Sequence, residues 1–166
     1  MTSDKTREEQ AAEIGKCAMS AIREMVEALE CDYERLEELR ELWADANQAI
    51  GDDFTQIDAD ELAELEAAAG ECASREDAEQ RIMDDPLSLQ FRSGWSTSRD
   101  ELEPEEFELL LSTGGPAVRI IGDIDRGEAS NPKLEVQDWF KPWTEYNTTS
   151  DDDAALEAYC RCFCFE

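Results

Sequence analysis

The chain contains no histidine, and its fifteen Lys and Arg face forty-three Asp and Glu, which sets a formal net charge of −28 on 166 residues. Without an imidazole there is no Ser-His or Cys-His pair to activate a nucleophile. A metal site would also have to do without its commonest ligand. Long apolar runs are missing too: nothing approaches the ~20 residues a membrane span needs. The opening MTSDKTREEQ has no apolar core, so no secretory signal is expected. The six cysteines are therefore read as reduced thiols of the cytoplasm. Ser112-Thr113-Gly114-Gly115 lacks the G-x-x-x-x-G-K-[ST] spacing that cradles phosphate. These absences lead to the expectation of a protein that is not an enzyme and holds no cofactor or metal.

Scarcity of positive charge also narrows the partners. An acidic surface is repelled by phosphate and by anionic lipid, so neither direct nucleic-acid binding nor membrane binding is expected. A basic surface is the natural partner, and large basic surfaces in cells are those that bind nucleic acid. Solubility needs a net charge of only about 2–8 in a small domain. An excess of this size, which repels itself on folding, suggests that the field is used. High charge with low hydrophobicity is also the mark of disorder. Against that stand four Trp, six Phe and three Tyr, enough with the patterned Leu, Ile and Val to build a core.

Charge is uneven along the chain. Residues 1–85 hold 26 acids and 8 bases, and residues 86–166 hold 17 and 7. Trp95, Trp139 and Trp143 all lie in the second stretch. The reading is an acidic helical region over 1–85 and an α+β domain over 86–166. At about 100° per residue, Ile14, Ala18, Ile22, Met25, Leu29, Leu36, Trp43 and Ile50 fall on one arc, without a slip of phase. This predicts one long helix, roughly 8–49, ending near Gly51. The alternative is a break at Cys31-Asp32 with Asp32 as a new N-cap. Two short helices should follow. One runs near 59–69, with Asp58 as N-cap and Gly70 just past its end. The other runs near 75–84, capped by Ser74 with Asp77.

Leu87, Leu89, Phe91, Ser93 and Trp95 alternate with polar residues and predict a strand. Pro104 at a first helical position predicts a short helix with Phe107, Leu110 and Leu111 inward. Val118, Ile120 and Ile124 read as a strand that turns at Asp125-Arg126-Gly127 and returns over Lys133 to Trp139. Trp143 to Tyr146 adds an edge strand. Asp151-Asp152-Asp153 caps a final helix whose inner face is Ala155, Leu156, Tyr159 and Phe163. The fold class expected is α+β: a long acidic N-terminal helix, two short helices, then an antiparallel sheet of three or four strands with a C-terminal helix.

On the polar side of the first helix, Glu27, Glu34 and Glu41 repeat every seven residues, beside Glu30, Glu37, Glu38 and Asp45. On a continuous helix this is a double row of carboxylates spaced on the scale of a duplex backbone; a solvated helix face is the plain alternative. Trp139, Phe140, Trp143 and Tyr146 form an aromatic cluster. It is read as core or sheet edge, or as an interface in which Trp139 and Trp143 anchor a partner. Asp52, Asp53, Asp58, Asp60 and Glu61 supply oxygens that suit calcium, but DDFTQIDADE lacks the Gly and Glu spacing of an EF-hand. Cys160, Cys162 and Cys164 lack the paired spacing of a structural zinc site and read as packing residues. Glu101, Glu103, Glu105, Glu106 and Glu108 read as solvated acids rather than as an acid/base pair.

The runs DPLSLQFRSGW, EPEEFELLLSTGGPAVRIIGDID, LEVQDWFKPWTEY and AALEAYCRCFCF, over roughly 84–165, resemble a family of small acidic proteins encoded on phages and integrated mobile elements. No catalytic residue comes with the resemblance. Such elements also encode anti-restriction and anti-CRISPR inhibitors, some of them DNA mimics, to which the chain is similar in charge and size. The resemblance implies an inhibitor, working in a bacterial host's cytoplasm, of a defence complex that binds nucleic acid (a CRISPR effector or a restriction enzyme). A different class stays open: a structural or adaptor protein, pairing with another helix or as a homodimer through the apolar arc of Met25, Leu29, Leu36 and Trp43.

Overall fold

The structure is a computed structural model and describes residues 7–47, 55–139 and 141–165. The end of the first helix near Gly51, Ile50, the acids Asp52 and Asp53, and Phe140 lie outside these residues. The fold is α+β, with five α-helices and one five-stranded antiparallel sheet among the described residues. The chain divides into two compact units, one of residues up to Arg23 together with Ile82 onward, the other Glu24–Arg81.

Helix α1 spans Arg7–Glu30 and α2 Tyr33–Asn47, so the expected single helix is broken at Cys31-Asp32. The cause is local. Asp32 accepts a hydrogen bond from the Arg35 N–H at 3.0 Å, and its own carbonyl accepts from Leu36 N–H at 3.0 Å, which is N-cap geometry. The Tyr33 hydroxyl donates to the Ala28 carbonyl at 2.8 Å and satisfies an end group of α1. Apolar phase reports which face is buried, and Leu29 and Leu36 are indeed both buried. It does not report whether the axis is continuous.

Helix α3 (Gln56–Ala69) starts three residues before the expected position. Thr55 rather than Asp58 is its N-cap: the Thr55 hydroxyl accepts from Asp58 N–H, and the Asp58 carboxylate accepts from Thr55 N–H at 2.8 Å. Gly70, at φ 58°, closes the helix with its N–H on the Glu66 carbonyl. Helix α4 (Arg75–Asp84) is capped by Ser74 as expected, although Asp77 returns its bond to Ala73 N–H. Arg35 ties α2 to α3, reaching Glu61 at 2.8 Å and Asp58 at 3.7 Å. Those bonds hold the Glu61 carboxyl below the usual carboxylate range. Helices α1, α2 and α3 have no basic residue in the last turn, so their negative dipole ends are unopposed there.

In the other unit the strands run in sequence order, β1 (Ser88–Arg92), β2 (Glu106–Ser112), β3 (Ala117–Asp125), β4 (Glu128–Gln137) and β5 (Thr144–Glu145), each antiparallel to the next. Among the described residues there are five strands where three or four were expected. The additional one is β2, which replaces the expected helix after Pro104. Phe107 and Leu109 point to the buried face and Glu106 and Glu108 to the other, a period of two that pairing on both sides enforces. The β3–β4 hairpin turns through Arg126 and Gly127, at φ 55° and 82°, which fits a two-residue type I′ turn between paired Asp125 and Glu128. β1 ends at Arg92, leaving Trp95 outside it, and β4 is shifted, starting at Glu128 rather than Lys133 and ending before Trp139.

Leu109, Ile120 and Leu134 stack across the central strands with no exposure, beneath Leu156 and Tyr159 of α5 (Ser150–Cys160). Each such burial contributes about 1.5–3 kcal/mol. Met19 and Ile22 of α1 are buried in the same unit, and Phe165 covers Phe107 with ring centroids 4.6 Å apart. A Cβ at Gly122 would stand 2.6 Å from the Phe107 ring and 2.8 Å from the Ser130 carbonyl, so β3 needs a glycine there. Phe163, expected on α5, lies past its end and meets Tyr159 ring to ring at 5.6 Å.

The N-cap of α5 is Thr149 instead of the aspartate triplet. Asp152 completes the box, its carboxylate accepting from Thr149 N–H at 2.9 Å, and also pairs with Arg23 of α1. Asp152 is buried with a side-chain exposure of 2%. Burial pushes its pKa up, but the Thr149 backbone and hydroxyl bonds and the Arg23 pair together hold it below the usual carboxylate value. Stability from this group is therefore present above pH ~4 and is lost as pH falls through the folded-state pKa. Asp152→Asn should cost about 1–3 kcal/mol at pH 7. In urea titrations the gap between wild type and variant should close below pH ~4. A gap unchanged down to pH ~2 would show that the carboxylate charge is not what matters.

Candidate partner-binding surfaces

Seven predicted contact residues are acids of α1 and α2, and all seven are exposed. Glu27 and Glu30 end α1, while Glu34, Glu37, Glu38, Glu41 and Asp45 lie on α2. The break at Cys31-Asp32 interrupts the heptad row, so the double row is not one rigid rod. What remains continuous is the α2 stripe. At about 100° per residue its five acids occupy an arc of about 100°, opposite Leu36 and Leu39. Both leucines are fully buried. Glu38 pairs with Arg35 at 3.4 Å. Glu34, Glu37, Glu41 and Asp45 have no ion-pair partner among the described residues. From Glu34 to Asp45 the stripe is about 16 Å long. That is about one charge per 4 Å, close to the 3.4 Å charge spacing along one strand of a duplex.

Arg35 and Arg40 flank the stripe. The Arg40 guanidinium turns to Glu66 of α3 at 3.4 Å, while that of Arg35 reaches Glu61 of α3 at 2.8 Å and also Glu38 of the stripe at 3.4 Å. Trp43 of α2, on the expected apolar arc, is exposed, and so is Leu42 next to it in the chain.

The two predicted aromatic anchors are placed differently. Trp139 is exposed, with its ring lying over Gly115; any Cβ at that position would collide with the indole. Trp143 is half-buried and carries the Arg119 guanidinium 4.2 Å above its ring. Arg119 also reaches Glu108 at 2.5 Å and Glu135 at 2.6 Å on the two neighbouring strands. With Arg92 on Glu106 and Lys133 on Glu145, the sheet face opposite Leu109 and Ile120 is a lattice of cross-strand ion pairs. The acids Glu101 to Glu108, expected to be solvated, are divided by it, since Glu106 and Glu108 each hold an arginine.

Cys160 is buried, Cys162 half-buried and Cys164 exposed. Burial pushes the Cys160 thiol up to about 12. No group of three Cys, Asp or Glu among the described residues is placed to hold a metal ion. None of the described helices is long and apolar enough to cross a membrane.

Sequence reasoning missed one surface. Leu87, Phe91, Trp95 and Leu102 are all exposed near β1. Its signal was the polar run after Gly94, which marks a loop rather than more strand. The chain matches no family model, no curated protein and no solved structure.

Arg119→Met should remove the cation from Trp143 and leave Glu108 and Glu135 facing each other across β3. Guanidinium-independent measures, urea melts and thermal scans, should show a loss of about 1–3 kcal/mol. A change below about 0.5 kcal/mol would mean the lattice is a solvated surface of no consequence.

Proposed function

We propose that the protein is a non-enzymatic inhibitor of a host complex that binds nucleic acid, whose basic groove it occupies through the carboxylates of α2. The observation that carries this reading is the stripe Glu34, Glu37, Glu38, Glu41 and Asp45, exposed opposite a buried leucine face, in which Glu38 alone pairs with an arginine among the described residues. The net charge of −28 supplies the wider field. Such a field accelerates encounter with a basic groove and makes binding sensitive to salt. A CRISPR effector or a restriction enzyme in the bacterial cytoplasm is the class of target that fits. Exclusion of DNA from the groove suffices for inhibition, and no bond has to be made or broken.

A second reading draws on exposed Leu42 and Trp43: a structural or adaptor protein that pairs α2 with another helix or with a second copy. Sedimentation separates the two, because a dimer joined through an apolar face persists at high salt.

The test of mimicry uses purified restriction endonucleases and CRISPR effectors in DNA-cleavage assays. Wild-type protein should inhibit at least one of them, in competition with its DNA. Glu34→Lys, Glu37→Lys and Glu41→Lys combined should weaken that inhibition by about 100-fold at low salt and flatten its dependence on salt. Equal inhibition by the charge-reversed variant would sink the mimic, as would inhibition independent of DNA concentration.

A further inference from the structure

The two edges of the sheet are finished differently. At one, β5 is two residues long, a short edge of the kind that discourages further pairing. At the other, β1 has five residues and a strand neighbour on one side only among the described residues. Its sequence, Ser88-Leu89-Gln90-Phe91-Arg92, contains no Pro or Lys, and its register with β2 shows no bulge. None of these usual protections of an edge is present.

Beside this edge lies apolar surface. Leu87 is 60% exposed, Phe91 47%, Leu102 47% and Trp95 107%. Trp95 and Leu102 belong to the loop 93–104, whose ends meet where the Glu105 N–H donates to the Arg92 carbonyl at 2.9 Å. The Glu105 carboxylate lies over Gly94, where a Cβ would stand 2.5 Å from its oxygen. The loop therefore holds its tryptophan at the end of β1. An indole left wholly in water forgoes several kcal/mol of burial, at about 25 cal/mol per Å² over about 200 Å². Trp is also the residue most enriched at binding hot spots.

Charge selects what covers this surface. From Asp85 to Glu105 there are five acids and two arginines, and one of those arginines, Arg92, is held by Glu106. Asp100, Glu101 and Glu103 are exposed around Leu102. A second copy would bring the same acidic edge and a further −28 of charge. The edge therefore suits a chain of opposite sign.

We infer that the β1 edge binds a basic, extended segment of a partner protein by strand addition. The segment's main chain pairs with β1, an apolar side chain of the segment covers Trp95, and its Lys or Arg meet Asp100, Glu101 and Glu103. This surface is separate from the α2 stripe, and the inference holds whether or not that stripe enters a nucleic-acid groove.

The probe is a capped ten-residue peptide of alternating Lys and Val, with a control of the same composition in which five Lys precede five Val. The alternating peptide should protect the amides of Ser88–Arg92 from hydrogen exchange and leave those of α2 unchanged. Trp95→Ala should weaken its binding about tenfold. With Trp95 wholly exposed, that substitution opens no cavity in the core. Glu101→Lys with Glu103→Lys should weaken binding to a similar degree. The inference is overturned by an absence of binding, by protection that maps to α2, by equal binding of the block peptide, or by an unaffected Trp95→Ala. A dimer of the free chain that Trp95→Ala dissolves would show that a second copy fills the edge, and would overturn it as well.

Discussion

Self-repulsion is the constraint under which this fold is assembled. With forty-three acids and fifteen bases, most carboxylates cannot have a cation of their own. Several of its arginines stand where elements meet. Arg35 serves acids on both α2 and α3, Arg119 serves β2 and β4 from β3, and Arg23 joins α1 to the first turn of α5. Arg35 and Arg119 each sit between acids of two elements that would otherwise face each other. What is left over is the unpaired acid of exposed faces, such as Glu34, Glu37, Glu41 and Asp45 of α2. The distribution of scarce cations thus fixes both which elements can pack and which surface remains strongly negative.

A second device needs no cation. Thr55 with Asp58 and Thr149 with Asp152 use the same reciprocal box, and Ser74 with Asp77 uses half of it. In each case the carboxylate sits in the first turn, where the positive end of the helix dipole favours it. Acids that would burden a helix interior are thereby made useful at its start. In Asp152 the device is carried into the protein interior, where the Thr149 N–H and Arg23 donate to the carboxylate and help hold its pKa below the usual value.

Much of this was legible in the sequence, and the errors have physical causes. The period of about 3.6 found the helical region, and the period of two found the β3–β4 hairpin with its Asp-Arg-Gly turn. Capping was harder to read. Asp58 and the Asp151 triplet read as caps in the sequence, although a threonine three residues before the bonding acid does the capping in both cases. The segment after Pro104 carries helix-start signals, and only pairing with β1 and β3 decides for a strand; that information is non-local. Of the candidate contact residues, the acids were placed on the outside correctly, since a helix with Leu36 and Leu39 inward has one polar side. That Trp143 meets Arg119 and that Trp95 stands in water depends on tertiary geometry with no local signature.

The bare C-terminal turns of α1, α2 and α3 have a consequence for how the molecule answers to ionic strength. Carboxylates near a negative dipole end, together with the surplus of −28, oppose folding through forces that dissolved ions screen within about 10 Å at 0.1 M. Added salt should therefore tighten the folded chain. The attraction between an acidic face and a basic partner is screened by the same ions and weakens. Folding and association are thus driven in opposite directions by one variable. The range of salt in which the protein is both well folded and firmly bound has a lower limit set by the chain itself and an upper limit set by the complex.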